Sequence, residues 1–393
     1  MRALIVGGGI AGPATALALQ QRGIEAVVLE RRAADSGGSW ITVSPNGLDA
    51  LDLLGVLPQV RAVGVPSIAN VMLGATGRTL GRIALGRARP DGLTALTVRR
   101  SEVAAVLRAA AVAAGAEIRD GATVVDIIDG DGGATVALAD GSTVTGDLII
   151  GADGVRSVIR SWIDPDGAPA RYVGLTNFGG ISRSTPLAAE LEPAAWQFIF
   201  GRGAFFGAHP TPEGDVVWFV NVPRDPISRA ERASTTDEQW RAGLLDKVAG
   251  DAGPARELIR TGELELVGDN TFDLRHVTRW WRERAIVIGD AAHAPSPSSG
   301  QGASMALEDA VVLARSLVAH DEPAAAFAAY EQQRRARVER IVKAGARSSS
   351  AKIPGRLARP LTEAMLRVVF RFVVTERGTE WMTGHRLERE AQG

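Results

Sequence analysis

The stretch RALIVGGGIAGPATALALQQRGIEAVVLE, residues 2–30, constrains the fold more than any other part of the chain. An apolar run, Ala3 to Val6, reads as a strand and leads into Gly7, Gly9 and Gly12 at GxGxxG spacing. An alanine-rich helix follows, then a second apolar strand, Ala26 to Leu29, closed by Glu30. Strand, glycine turn, helix and strand in this order are the context that a dinucleotide-binding fingerprint requires. Gly7 permits the tight turn, Gly9 lets the backbone approach a pyrophosphate, and Gly12 lets helix and strand pack closely. Ala11 opens the helix, whose free N–H groups and positive dipole end face the phosphates in such a unit. Glu30 arrives about twenty residues on, where a carboxylate takes both hydroxyls of a ribose, with Arg31 beside it. A carboxylate there repels a 2′-phosphate, so NADP is not expected at this site. A secretory signal would need an unbroken apolar run; three consecutive glycines, Gly7 to Gly9, interrupt this one.

With 393 residues the chain has room for two domains or one composite domain. A net charge of −1 argues against nucleic acid or an anionic membrane as the main partner. The absence of cysteine excludes disulfides, thiolate metal sites and thiol relays, and fits a cytoplasmic setting. No metal is expected, and no apolar segment reaches the roughly twenty residues of a membrane span. A monomer or homodimer is expected.

Further along, a glycine-bearing loop, Ser36 to Trp40, precedes Ser44-Pro45-Asn46, where serine as cap and proline at the first position predict a helix to Gly55. Short strands are expected over 67–98 and a helix from Arg100 to Ala114. Residues 122–151 alternate apolar and polar around Asp140-Gly141, which reads as a hairpin. Strands are expected again over 172–222 and at 285–289, then helices near 302–319 and 323–346. A last amphipathic helix, about 361–374, carries Arg367 and Arg371 and is expected to pack against the body or a second subunit. The expected class is α/β: a discontinuous Rossmann-like domain (1–70, 97–170, 271–346), an inserted β-sheet substrate domain (71–96, 171–270) and a C-terminal helical segment (347–393).

Two later motifs sharpen this. Residues 147–160 read DLIIGADGVRSVIR, a buried strand ending in Gly151-Ala152-Asp153-Gly154. Residues 286–310 read IVIGDAAHAPSPSSGQGASMALEDA, a strand ending in Gly289-Asp290, then a Pro/Ser/Gly loop and a helix from about Gly302. With these three motifs in order, the chain resembles the single-component class A flavin-dependent aromatic hydroxylases, which share the p-hydroxybenzoate hydroxylase-like fold. The resemblance implies non-covalent FAD, NADH or NADPH as a transient co-substrate, and O2. It implies insertion of one oxygen atom into an aromatic or polyketide-like small molecule through a C4a-hydroperoxyflavin. It places Asp290 on the ribitol hydroxyls, where a carboxylate makes charge-assisted hydrogen bonds. It places Pro297, Gly300, Gln301 and Gly302 along the isoalloxazine edge, with Pro297 and Gly300 as catalytic candidates. The helix end there would stabilise negative charge at N1 and O2. Asp153 and Gly154 match a motif linked to flavin and nicotinamide, although Asp153 also suits a helix cap. Arg100 matches an arginine that reaches the flavin pyrophosphate or ribityl chain, with Arg99 an alternative. Trp40 departs from the family pattern, since an indole stands where a small residue is usual.

The substrate is expected against the middle sheet. Phe178, Trp196, Phe198, Phe200, Phe205, Phe206, Trp218 and Phe219 crowd into one stretch, and a flat substrate needs aromatic walls. Strand alternation puts Phe198 and Phe200 on one face and splits Phe205 from Phe206. The pocket candidates are Arg183, Phe198, Phe200, Phe206 and Asn221. His209 is the candidate base by residue type, with a structural histidine as its alternative. His293 is expected to pack near the cofactor. The alternatives to a monooxygenase are a flavin-fold dehydrogenase or reductase, or a non-oxygenating FAD-binding protein.

Overall fold

The computed structural model describes residues 1–32, 39–128, 133–349, 365, 367–370 and 376–388. The strand β1 (Arg2–Val6) is apolar on both faces because it lies at the centre of a covered parallel sheet. It pairs in parallel with β2 (Glu25–Glu30) on one side and β12 (Leu148–Gly151) on the other. The sheet extends through β8 (Glu117–Asp120) at one edge, and through β19 (Ala285–Val287) and β18 (Trp281–Arg282) at the other. Every pair is parallel except β18 with β19. Two turns of the three motifs therefore leave the same end of neighbouring strands β12 and β19, and the third leaves β1 between β12 and β2.

The helix α1 (Ala11–Gln20) packs directly behind the first turn. Gly7 has φ +111°, and a Cβ on it would stand 2.4 Å from the Ala152 carbonyl oxygen. A Cβ on Gly12 would stand 1.9 Å from the Gly7 carbonyl oxygen. No side chain fits at either position, so the close contact of turn, helix and β12 requires both glycines. The helices α2 (Pro45–Leu53), α3 (Leu57–Val63), α4 (Arg100–Ala113), α5 (Val158–Ile163), α9 (Asp290–His293), α10 (Gly302–Ala319) and α11 (Pro323–Ser349) complete this body. Its core holds β1, β2, β12 and β19 together with Leu48, Leu107, Met305, Leu313 and Phe327. A three-stranded ribbon, β11 (Thr143–Gly146), β10 (Ala134–Leu138) and β9 (Val124–Ile128), contains the expected hairpin at Asp140-Gly141.

The inserted sheet has seven strands in the order β17 (Glu263–Asp273), β13 (Arg171–Ser182), β16 (Val216–Pro223), β15 (Phe205–Pro210), β14 (Ala195–Phe200), β5 (Ala69–Gly74) and β6 (Thr79–Ala84). One face of it, the back, packs on α7 (Asp237–Val248) and α8 (Ala255–Thr261), which follow the short α6 (Arg229–Ser234). The front face meets a small sheet, β3 (Trp40–Val43), β7 (Ala95–Arg99) and β4 (Val65–Ser67), that belongs to the cofactor side. Hydroxyls and indoles form this seam. The Trp196 indole donates to Thr97 Oγ1 at 2.8 Å and Thr42 Oγ1 at 3.1 Å, and Ser67 Oγ lies 2.9 Å from His209 Nε2.

The expected cap at Ser44 is half right. Ser44 stands at the N-cap of α2, but its side chain makes no capping bond there. Its Oγ instead accepts from Gln301 Nε2 at 2.8 Å. Most of the helix expected over 361–374, including Arg371, lies outside the described residues, as does most of the loop before Trp40. Within it, Phe370 packs against Phe200, with ring centroids 5.9 Å apart.

Candidate active site

The site is built around the turn Gly7–Ala11. Arg100, the first residue of α4, brings its Nη2 to 3.5 Å from where a Cβ on Gly9 would stand. Arg99 turns the other way, paired with Glu265 at 2.6 Å and with its guanidinium 5.0 Å from the Trp40 ring centroid. The two arginines left open by the sequence are thus separated: Arg100 faces the glycine turn, and Arg99 pins the front sheet to the body. Trp40 joins this junction, its indole donating to Glu265 at 3.3 Å.

Glu30 ends β2 beside the same turn. Its carboxylate accepts the Gly8 N–H at 2.5 Å and the Arg32 N–H at 2.9 Å, while Arg31 is exposed next to it. Arg108 is a neighbour that sequence reasoning missed. Its Nη1 lies 2.9 Å from the position of a Cβ on Gly8, and its Nη2 grips both oxygens of Asp120 at 2.7 and 2.9 Å. In sequence, an arginine within an alanine-rich helix reads as a solvated residue.

Gly289 and Asp290 close the other side of the turn. A Cβ on Gly289 would stand 3.1 Å from the Ala11 Cβ, and Asp290 Oδ1 is 3.7 Å from the place of a Cβ on Gly302. The Gly-Asp turn, the first helix and the start of α10 therefore meet. Asp290 has its surface open to the cleft, yet protein walls surround it. Desolvation pushes its carboxyl up, against the pull of Arg100, and that push holds only while the cleft is dry. Gly300 is left-handed at φ +61° and precedes α10, and Pro297 stands exposed before it. The side chain of Gln301 is buried and turned toward α2, which leaves the backbone of this loop as its exposed chemistry. Asp153 caps α5: its Oδ2 accepts from Val158 at 2.7 Å and Ile159 at 3.3 Å. Its Oδ1 is buried with no partner among the described residues, and burial pushes the carboxyl up despite the Ser157 contact. Gly154 follows at φ +78°.

Beneath these turns lies a buried ionic network that the sequence did not announce. Asp309 Oδ2 accepts the Gly289 N–H at 2.9 Å and lies 2.5 Å from His293 Nε2; its Oδ1 accepts from Arg334 Nε at 2.7 Å. His293 thus packs under the Gly289 turn. Glu308 accepts from Arg334, from Arg337 Nη2 at 2.8 Å and from Asn46 Nδ2 at 2.7 Å. Asn46 Nδ2 also reaches Gln301 Oε1 at 3.1 Å. Burial alone would raise the Glu308 carboxyl, but Arg334 and Arg337 outweigh it and bring it down to about 2. Asp309 is likewise held low, with His293 and Arg334 overcoming burial.

The inserted sheet corrects three expectations. Phe206 lies on the back face, 1% exposed and stacked on Trp218, inside the core with α7 and α8. Arg183 sits past the end of β13, half exposed, near Asp215 at 3.6 Å and Glu263 at 3.4 Å, at the rim of the sheet and away from the aromatic front wall. His209 has no exposed surface, and its Nε2 is taken up by Ser67 in the seam. Burial pushes its imidazole down to about 4. A ring that is sealed off and so weakly basic does not serve as the general base, and the structural reading of His209 holds.

The front face carries the remaining candidates. Trp196, Phe198, Phe205 and Phe219 form a connected aromatic wall, with centroids 5.5–6.0 Å apart, and Phe200 extends it to Phe205 at 5.1 Å. Phe198, Phe200 and Phe219 are half-buried. Asn221 donates to Asn177 at 2.5 Å on the same face. Asn177 pairs with Asp269, whose carboxyl is raised by burial and lowered by Arg232 and Arg100. Arg100 thus pulls down the carboxyls of both Asp290 and Asp269.

The donor set fits a flavin dinucleotide: a glycine turn closed to a Cβ at Gly7 and Gly12, an arginine over it, carboxylates at Glu30 and Asp290, and a glycine-flanked loop opening a helix. The comparisons agree. The family model described as FAD binding domain matches residues 1–345. The chain is 32% identical over 335 residues to the aurachin C monooxygenase/isomerase of Stigmatella aurantiaca, covering 84% of each. It is 33% identical over 350 residues to the 3-hydroxybenzoate 6-hydroxylase of Klebsiella oxytoca, covering 87% of this chain and 86% of that one. The crystal structure of Klebsiella pneumoniae HpxO with FAD and uric acid superposes with a TM-score of 0.79 at 27% identity, covering 93% of this chain and 92% of that one. Over residues 1–345, from the glycine turn through α10 and most of α11, this chain belongs to the FAD-binding family of class A flavin-dependent aromatic monooxygenases.

Proposed function

We propose that the enzyme uses NAD(P)H and O2 to oxygenate a neutral, largely apolar aromatic compound. When bound, FAD supplies the activation of dioxygen; every other requirement falls to the protein. Gly9, Arg100 and the N–H groups opening α1 hold the pyrophosphate. Glu30 holds the adenosine ribose, and Asp290 the ribitol hydroxyls. The backbone of Gly300 to Gly302 and the positive end of α10 offset negative charge at the ring edge. Asp153, with one oxygen unspent, orders the turn through Gly154 that borders the cleft.

The aromatic front wall carries this reading. On its four central strands the inward positions are Asn177, Gly179, Ile181, Trp196, Phe198, Phe200, Phe205, Gly207, His209, Val217, Phe219 and Asn221, none of them Lys or Arg, and Asp269 stands beside Asn177 on the next strand. A buried carboxylate without a cationic partner costs several kcal/mol, on the order of the binding energy of a small ligand. This wall therefore suits an uncharged ring better than a benzoate, with the Asn177–Asn221 pair supplying the polar contacts. The wall also excludes water from the oxygen-transfer step. NAD(P)H dependence points to the cytoplasm, where that donor is regenerated.

Aerobic NAD(P)H oxidation, measured with matched neutral and carboxylate-bearing aromatics, tests the reading. Neutral phenols are expected to raise the rate and yield products one oxygen atom heavier. Stronger stimulation by benzoates would overturn it.

A further inference from the structure

We infer that Glu308 is a positioning residue for the flavin-edge loop, and that a segment beyond the family-model match completes its setting. The inference rests on the reading that Gly300 to Gly302 meets FAD. Glu308 sits two turns into α10, fully buried. It does not touch the cleft. It holds Asn46 Nδ2 at 2.7 Å, and the same Nδ2 reaches Gln301 Oε1 at 3.1 Å. Gln301 in turn donates to Ser44 Oγ at 2.8 Å, and Ser304 Oγ accepts the Ser44 N–H at 3.1 Å. The residue between Gly300 and Gly302 is thus held at both ends of its amide by α2. Asn46 is itself 1% exposed, and its Oδ1 has no partner among the described residues. This polar chain has no slack: a shift of Glu308 passes to the loop through one side chain.

Arg337 sets Glu308 from the other side. Its Nε and Nη2 grip the two Glu308 oxygens at 3.1 and 2.8 Å. Its Nη1 and Nη2 also donate to the carbonyls of Trp381 and Met382 at 2.9 and 2.8 Å. These carbonyls end the helix Glu376–Thr383, which lies past residue 345 where the family match stops. Arg340 stacks on Trp381 at 3.8 Å, and Arg386 grips both oxygens of Asp49 on α2 at 2.8 and 2.6 Å. The C-terminal segment therefore touches both ends of the chain of contacts, α11 through Arg337 and α2 through Asp49. Buried ion pairs seldom add net stability over apolar packing. A network of this cost, spanning α2, α10, α11 and the terminus, is explained by the geometry it enforces on the loop.

The test uses the FAD-loaded enzyme. FAD uptake by the wild-type chain is measured first and judges the underlying reading by itself. Asn46→Ala cuts the link to Gln301 while both Glu308–Arg pairs remain. A chain ending at residue 375 removes the Arg337 carbonyl partners. Each is expected to release FAD about tenfold faster, the scale of one lost hydrogen bond to a charged group. Each is expected to move the flavin midpoint potential in the same direction, and the combined variant should do no more than the larger single change. Leu313→Ala, in the core of the same helix, gives a matched loss of melting temperature without faster release. If the truncated chain fails to fold, Arg386→Ala weakens the same strap from the surface. Unchanged release and potential in Asn46→Ala, or equal release in Leu313→Ala at matched stability, would overturn the inference.

Discussion

At the residue scale, the glycines and carboxylates of the cofactor site divide their work. Asp290 keeps its carboxylate open to the cleft, whereas Glu30 already spends its oxygens on the Gly8 and Arg32 N–H groups. Asp290→Ala is therefore expected to lose bound flavin on gel filtration, seen as a collapsed ratio of 450 to 280 nm absorbance. Glu30→Ala should retain flavin and weaken its binding about tenfold, the loss of roughly one charge-assisted bond. Full flavin content in Asp290→Ala would contradict the assignment. These residues were legible in the sequence because each sits at a fixed offset from a strand end, where backbone geometry leaves few choices. Arg108 and Glu308 were not. Each lies within a helix whose local pattern is satisfied by an ordinary solvated or capping charge, and only tertiary packing brings it to Gly8 or to Asn46. Arg183 and His209 failed for the opposite reason: residue type suggested chemistry, while the surroundings gave one to solvent and the other to a seam.

At the scale of elements, β15 shows how far strand alternation reaches. It separates Phe205 from Phe206 correctly, since successive side chains take opposite faces. It does not say which face looks toward the cofactor, and the sequence reading chose Phe206. The side of α7 and α8 decides, because those amphipathic helices need an apolar face to cover, and they follow β16 on the back. Phe206→Ala should then cost about 3–5 kcal/mol of stability, as for a buried aromatic truncated in a core. It should leave KM for the aromatic substrate nearly unchanged. Phe219→Ala, half-buried on the front wall, should show the reverse: a raised KM with a smaller loss in denaturant midpoint. Equal KM effects from the two variants would mean that the faces are wrongly assigned. The discontinuous architecture was readable from the returning strand-and-motif units. The small sheet β3–β7–β4 was not, since its strands come from separate stretches and pair only across the fold.

At the scale of the molecule, two buried titratable groups make the fold sensitive to acid. The His209 imidazole is held down at about 4, so its stabilising contribution is complete above its ordinary value of 6.5 and is withdrawn as pH falls toward 4. Glu308 is held at about 2 against an ordinary 4.5, so it contributes fully above 4.5 and loses that contribution as pH falls toward 2. The raised carboxyls of Asp153, Asp269 and Asp290 act in the opposite sense, so the His209 part is read as a difference: the loss of melting temperature between pH 6.5 and 4 should be smaller in His209→Gln than in the unaltered protein. Identical slopes over that range would contradict the burial of the imidazole.

The junction between the body and the inserted sheet has one more consequence. Thr42, Thr97 and Ser67 hold Trp196 and His209 through short hydroxyl contacts, while Phe198, Phe200 and Phe219 stand beside them without entering those bonds. On the proposed reading, attachment and recognition fall largely to separate side chains of one surface, with Trp196 shared between them. Mutation can redraw the ligand-facing patch without loosening the mount, which gives a lineage built on this scaffold a physical route to new compounds at little risk to assembly.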